Sequence, residues 1–389
     1  VMRGARPSIG VATPWVPQHT GIADYSKFTI EPLSQFCDVQ VYGTWDATRV
    51  NPSLRRFDSN TAMVRRHDAF LSVLGNSHFH LPMLRLLHNA GGAVLAHDTR
   101  MLELYFGMRG PHATADLMNR SPGHRPVHAR EVRSELRNLE TLTDTCYWEI
   151  AQSADPLIFH SGATAHRVAR ETGTEPKHIG FIPYRQFAGP MTSADRREAK
   201  WALGLNETGL QVVIVGGVDF RTKRDDIIIE ALGWLKQWGY DVQLHIVGDV
   251  ALHGSDLRNV ATDAGVSDRV HFAGRVSEQD YQRYLVAGDF GIQLRASSLL
   301  SVSGAVTDMA AFGMPGLATD SMAKEMNVPA FIEQVPLAIS PLLLAEAVVR
   351  WLDGHPDFNA VEEQRRQYLH EHTRENYARA LLTAMGVSL

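Results

Sequence analysis

Cysteine is nearly absent from this 389-residue sequence: Cys37 and Cys146 are the only two, they form no CxxC, and no Cys/His cluster has zinc-like spacing. Neither a disulfide scaffold nor a structural metal site is thereby indicated, and a reducing, cytoplasmic setting is expected. No run approaches the ~18 apolar residues of a membrane span, which leaves only peripheral contact with a membrane open. The opening VMRGARPSIGVATPW lacks the apolar core of a signal peptide, and its first six residues are given no structural weight. Neither charge sign dominates, with 38 Lys+Arg against 43 Asp+Glu and a formal charge of -5, so nucleic acid is not an expected partner. No GxxxxGK[ST] occurs and no GxGxxG follows either candidate first strand, which argues against a P-loop enzyme and a dinucleotide-dependent dehydrogenase.

What remains is the composition of a globular α/β protein, 44% hydrophobic and 21% charged, of a length that exceeds one ordinary core. Two domains are expected. Short apolar runs alternate with amphipathic stretches, as in a parallel sheet with helices on its faces. Strands are expected near 8–13, 38–43, 61–64, 93–96 and 156–160. The second half reads more cleanly as five βα units, with strands at 211–215, 241–247, 269–273, 289–293 and 316–318 and helices at 223–238, 254–264, 277–286 and 303–313. Further helices are expected at 341–353 and 357–384. FIPYRQFAGPMTSADR breaks the periodicity, so the first domain is assigned to 1–190 and the second to 191–360. Two doubly wound domains direct the carboxyl ends of their sheets toward a shared crevice, where ligands bind.

Four segments could carry chemistry. Gly21, after the first strand, allows close backbone approach at a helix start, with a turn and N-cap as the plain alternative. His97 and Asp98 follow the apolar strand AVLA and can bond sugar hydroxyls, the carboxylate also being able to accept a proton; otherwise Asp98 caps a helix and His97 is a core residue. Gly216 and Gly217 close a strand ahead of Arg221 and Lys223, two cations beside a helix start that suit a phosphate clamp. Ser303 and Gly304 open another helix whose N–H groups suit a diphosphate, with Asp308 about one turn in and able to reach a ribose. Asp225 and Asp226 imitate a metal pair, but the dipole at a helix start accounts for them, and neither a metal nor a cofactor is expected.

Together these pieces resemble the family-4 retaining glycosyltransferases of GT-B fold. The segments that carry the likeness are PWVPQHTGIADYS at 14–26, LAHDTR at 95–100, GGVDFRTKRDDIIIEAL at 216–232, DRVHFAGRVSEQDYQRYLVAGDFGIQLR at 268–295 and SVSGAVTDMAAFGMP at 301–315. The resemblance implies two Rossmann-like doubly wound domains facing across a cleft, with a C-terminal helix, 361–389, packing back on the first domain. It implies that Gly21 lies by the donor diphosphate, that His97 contacts the transferred sugar and that Asp98 faces the acceptor. Lys223 matches the diphosphate lysine and Arg221 is a candidate for the accompanying arginine, whose usual position is Val218 here. Arg275 and Val276 fall where the nucleobase is held, and Ser303 and Gly304 on the phosphate-binding helix start. Where the family has glutamates this sequence has Ser301 and Asp308, the first of which cannot supply a carboxylate.

The activity so implied is a hexosyltransferase-type reaction. A hexose passes from a nucleotide-diphosphate sugar to a hydroxyl of a small-molecule or glycan acceptor, with retention. The absence of a glycosidase-like carboxylate pair favours a front-face reaction, in which Lys223, Arg221 and the amides near Ser303 stabilise the departing diphosphate. A catalytically silent binding subunit and a nucleotide-sugar epimerase are the competing readings, the first supported by Ser301 and the second by shared architecture. The Gly- and Pro-bearing segment 107–128 is the expected lid.

Overall fold

A computed structural model describes residues 6–15, 18, 20–43, 48, 51, 53–57, 61–120, 125–137, 144–183, 185–250, 254–299, 302–354 and 357–388. By its contacts the chain divides into two compact units, Val1–Tyr184 with Thr373–Leu389, and Arg185–His372. The divisions read from the sequence, at 190 and 360, fall six residues after the first of these breaks and twelve before the second.

Unit 1 holds the strands β1 (Ser8–Ala12), β2 (Asp38–Gly43), β3 (Arg55–Arg56), β4 (Ala69–Leu74), β5 (Ala93–Ala96), β6 (Leu157–Phe159) and β7 (Lys177–His178). They form one sheet in the order β3-β2-β1-β4-β5-β6-β7, parallel throughout. Unit 2 holds β8 (Leu210–Val215), β9 (Val242–Val247), β10 (Val270–Gly274), β11 (Phe290–Gln293), β12 (Gly316–Thr319) and β13 (Ile332–Val335). Their order is β10-β9-β8-β11-β12-β13, again parallel. Each sheet therefore starts in the middle, runs to one edge and then to the other, which is the doubly wound order. Central strands are covered by helices on both faces and so read as unbroken apolar runs. β8 and β4 are buried along all but their first residue.

The sequence misplaced one strand of unit 1. Thr61–Val64 is a short helix, and the strand expected there is β4, AFLSVL, which pairs with β1 and β5. β13 went unread because it is an edge strand of four residues with Glu333 and Gln334 exposed at its centre. The 107–128 segment is not all loop: Leu102–Met118 is helical, kinked where Gly110 takes φ 74° ahead of Pro111, and residues 121–124 lie outside the described part.

The stretch expected as one helix over 357–384 is two, because Thr373 caps a new start by accepting from the N–H of Asn376. Phe358–Glu371 belongs to unit 2. Its buried Arg365 pairs with Glu362 and donates to the carbonyls of Phe187, Gly189 and Ala311. Arg374–Ala384 belongs to unit 1, where Tyr377, Leu381 and Leu382 are buried, Arg374 lies 3.7 Å over the Phe28 ring and Lys177 donates to the Ala384 carbonyl at 2.7 Å. The helix that returns to unit 1 thus starts at Arg374 rather than near 361.

Candidate active site

In unit 2 the strand order reverses between β8 and β11, and the loops leaving their carboxyl ends define the candidate site. Leaving β8, Gly216 takes φ 101°, where a side chain is strained. The chain then forms the short helix Phe220–Lys223, capped by Asp219, whose carboxylate accepts from the Arg221 N–H at 3.1 Å. Arg224, left-handed at φ 55°, redirects it into the Asp225–Gln237 helix. This turn carries the Lys223 ammonium back to donate to the Gly217 carbonyl. Nζ lies 3.4 Å from where Gly216 would bear a Cβ, and Ala305 lies 4.0 Å from the same point. The ammonium and the start of the Gly304–Ala311 helix therefore converge over one glycine.

Ser303 caps that helix by accepting from the Val306 N–H at 3.4 Å, and the N–H groups of Gly304 and Ala305 precede the helix's own bonds. Ser301 lies outside the described residues. Gly248, after β9, lets the neighbouring loop close up, since a Cβ there would sit 1.8 Å from the Gly216 carbonyl oxygen.

Behind this turn Asp225 and Arg295 are buried and Lys223 is half-buried. Lys223 is pushed down to about 8, first by burial and then by the guanidinium of Arg295, with Asp225 and Asp219 pulling it back up. Arg295, two residues past β11, is itself buried and is pushed down to about 10 for the same reason. Asp225 is pushed up to about 6 by burial, against the pull of Lys223 and Arg295. Cations held in low dielectric act on an anion more strongly than they would in water.

Arg221 lies on the same short helix two residues before Lys223, partly exposed, with its Nε 3.9 Å from Asp219. The cation that presses on Lys223 is Arg295, which the sequence reading passed over. Val218, where the resemblance puts an arginine, is a buried apolar residue. Arg275 and half-buried Val276 follow β10, with the Arg275 guanidinium donating to Asp249 at 3.1 Å. Asp308 is not a solvated helix residue. It is buried, its Oδ2 accepts from Tyr281 at 2.8 Å and from Arg185 at 3.2 Å, and burial pushes it up to about 7. Arg185 also forks onto Glu278 at 2.6 and 3.0 Å. Oδ1 of Asp308 has no hydrogen-bond partner among the described residues, so any ribose contact would fall to that oxygen.

In unit 1 the reversal lies between β1 and β4. Gly21 opens the Gly21–Ile30 helix, capped by Thr20, and a Cβ built there meets nothing within 4 Å. Packing within the chain does not demand a glycine at that position; close approach of a ligand would. His97, after β5, rests edge-on to Tyr25 at 5.6 Å and beside His160 at 4.9 Å. Burial keeps it neutral, His160 and His80 adding to the effect, and its Nε2 is buried without a partner among the described residues. Asp98 caps no helix. Its Oδ2 accepts from the Asn76 N–H at 2.5 Å, and burial raises its affinity for a proton. Tyr147 donates to the Asp98 carbonyl at 2.6 Å. Tyr25 stacks on Phe181 at 4.2 Å and accepts from the Ile182 N–H, which fixes the ring against which His97 leans. Among the described residues, no group of three His, Cys, Asp or Glu side chains is placed to hold a metal ion.

A glycine turn, a half-buried lysine and a helix start thus meet at the reversal point of unit 2. Residues 209–353 match the family model of glycosyl transferases group 1. A curated relative, D-inositol 3-phosphate glycosyltransferase of Mycobacterium sp. (strain KMS), is 27% identical over 145 residues. That match takes in 36% of this chain and about a third, 32%, of the relative's length. Solved structures share the fold over both units. HepE of Anabaena in complex with UDP-glucose has TM-score 0.65 at 13% identity, covering 98% of this chain and 99% of that one. WaaG, a glycosyltransferase involved in lipopolysaccharide biosynthesis, has TM-score 0.57 at 16% identity with the same coverage. A glycosyltransferase from Rickettsia africae has TM-score 0.63 at 10% identity, covering 98% of each chain. The likeness is one of fold, the GT-B architecture, and the family match lies within unit 2.

Proposed function

We propose that this chain transfers a hexose-type sugar from a nucleotide-diphosphate sugar to a hydroxyl acceptor, with retention at the anomeric carbon. The observation that carries the reading is the meeting of the Lys223 ammonium and the Gly304–Ala311 helix start over Gly216, at the carboxyl end of a sheet reversal. As the glycosidic bond to the diphosphate breaks, negative charge grows on the leaving phosphate. Lys223 and the first-turn amides after Ser303 stabilise it without having to reorganise. The departing phosphate accepts the proton of the attacking hydroxyl on the same face, which retains configuration and needs no carboxylate nucleophile. Neutral His97 offers Nε2 to a hydroxyl of the transferred sugar, and Gly21 admits the diphosphate closely. Asp98 faces the acceptor, and Arg275 with Val276 lies beside the nucleobase. These cations already offset the phosphate charge, so the reaction is expected to proceed in the presence of a chelator.

The test is turnover of a panel of nucleotide sugars by Lys223→Ala. A fall in kcat/KM of at least ~100-fold is expected, the size of losing one preorganised partner of a developing anion; unchanged kcat/KM across the panel removes the phosphate assignment. Incubating donor without acceptor separates transfer from epimerisation, since only an epimerase alters the sugar in that arm.

A further inference from the structure

We propose that Arg295 supplies the second positive charge at the diphosphate site, in place of the arginine that position 218 lacks. The inference rests on the donor-site reading above and adds a residue to it.

Four observations point to Arg295. It stands two residues beyond β11, and β11 is the strand that lies beside β8 across the reversal. Its buried guanidinium donates to the Leu294 carbonyl at 2.8 Å and acts electrostatically on Lys223. The two loops are joined, because the Ala296 N–H donates to the Thr222 carbonyl at 2.9 Å, one residue from Lys223. The Arg295 backbone is pinned from the other side, its N–H donating to Thr319 Oγ1 at 2.9 Å. Asp225 is buried, accepts from the Asp219 N–H at 3.1 Å and is pulled on electrostatically by both cations. Val218 is a buried apolar residue on the turn itself and can offer an anion nothing. A diphosphate spreads its charge over two phosphates, and a single ammonium leaves part of it unmatched.

The arrangement also gives Arg295 a signature that bulk packing would not. Lys223 is faced by Arg295, Asp225 and Asp219 and donates to the Gly217 carbonyl. The guanidinium makes the ammonium easier to deprotonate, so in the free protein Lys223 begins to lose its proton near pH 8. Anion binding should therefore weaken above that pH. With Arg295 neutralised the break should move to higher pH, because the repulsion is gone.

The experiment is calorimetric titration of the whole chain with inorganic pyrophosphate and with UDP, from pH 6.5 to 9.5, on the wild type, Lys223→Met, Arg295→Gln, Arg295→Lys and the double variant Val218→Arg/Arg295→Gln. Thermal melts are run alongside. Arg295→Gln should bind pyrophosphate about 10- to 100-fold more weakly, the range for a lost charge-assisted bond, with its break shifted upward. Arg295→Lys should retain most of the affinity, and the double variant should recover part of it. If Arg295→Gln binds within about twofold of wild type and breaks at the same pH, the proposal fails while the Lys223 assignment stands. If neither the wild type nor Lys223→Met binds pyrophosphate, the donor-site reading itself fails. Should Arg295→Gln melt too low to titrate, Arg295→Lys decides: a normal melt with the break still near pH 8 and intact affinity supports the proposal. A normal melt with affinity lost to the level of Lys223→Met overturns it.

Discussion

The two sheets have the same strand order and reverse at corresponding places, yet the groups gathered beyond those places differ in kind. Past β8 and β11, unit 2 has a half-buried lysine, a buried arginine, a helix start and glycines that let backbones touch. Past β5 and β6, unit 1 has neutral histidines seated on tyrosine and phenylalanine, and a carboxyl held by a backbone N–H. Topology fixes where a ligand can lie, and the residues that end each strand fix what it can be. On the proposed function, one end takes a dense anion and the other uncharged hydroxyls.

The largest expected difference between them is in response to Lys223→Ala and His97→Ala. The first should cost at least ~100-fold in kcat/KM through donor phosphate. The second should cost about tenfold, one uncharged hydrogen bond, while pyrophosphate affinity stays as in the wild type. Equal loss of pyrophosphate affinity in both variants would mean that the ends are not specialised as described.

Acid should separate the units further. His80 and His160 are buried and pushed down to about 4 and about 3, His97 well below its ordinary value. Between those values and pH 6.5 the unfolded chain binds more protons than the folded one, so the stability of unit 1 is lost as pH falls through that window. Asp98, raised by burial, offsets part of this. In unit 2, Asp225 and Asp308 are pushed up to about 6 and about 7. There the folded state holds the extra protons, and stability rises as pH falls from 7 toward 4. His245, pushed down to about 4, opposes the gain. Amide hydrogen exchange at pH 7.5 and pH 5, corrected for intrinsic rates, should show β4–β6 opening more readily in acid and β8–β12 protected as well or better. Parallel loss in both units would break the comparison.

A smaller effect sharpens it. Asp308→Asn should remove part of the acid stabilisation of unit 2, so that its melting temperature changes less than that of the wild type between pH 7 and pH 5. An identical pH slope in the two proteins would show that the carboxyl does not titrate in that range.

These contrasts were only half visible in the sequence. β8, β9, β11 and β12 could be read because buried strands are apolar runs, and Lys223 because a glycine pair and cations after such a run are a local pattern. Arg295 has no such mark: in FGIQLRASS it looks like the first solvated residue after a strand, and only the pairing of β11 with β8 makes it a neighbour of Lys223. Asp308 was placed on a helix correctly, but its partner Arg185 lies 123 residues away and the burial of the pair is a tertiary fact. The two-residue strands β3 and β7 and the four-residue edge strand β13 are too short for any period to register.

The Arg374–Ala384 helix belongs to unit 1 although all of unit 2 precedes it in the chain. During synthesis unit 2 has its whole sequence available first, as a contiguous stretch, while unit 1 must wait with the seats of Tyr377, Leu381 and Leu382 uncovered until the Arg374–Ala384 helix leaves the ribosome. The unit translated earlier is thus completed later, and a stalled or clipped product lacking that helix would present a wet apolar face to chaperones and proteases.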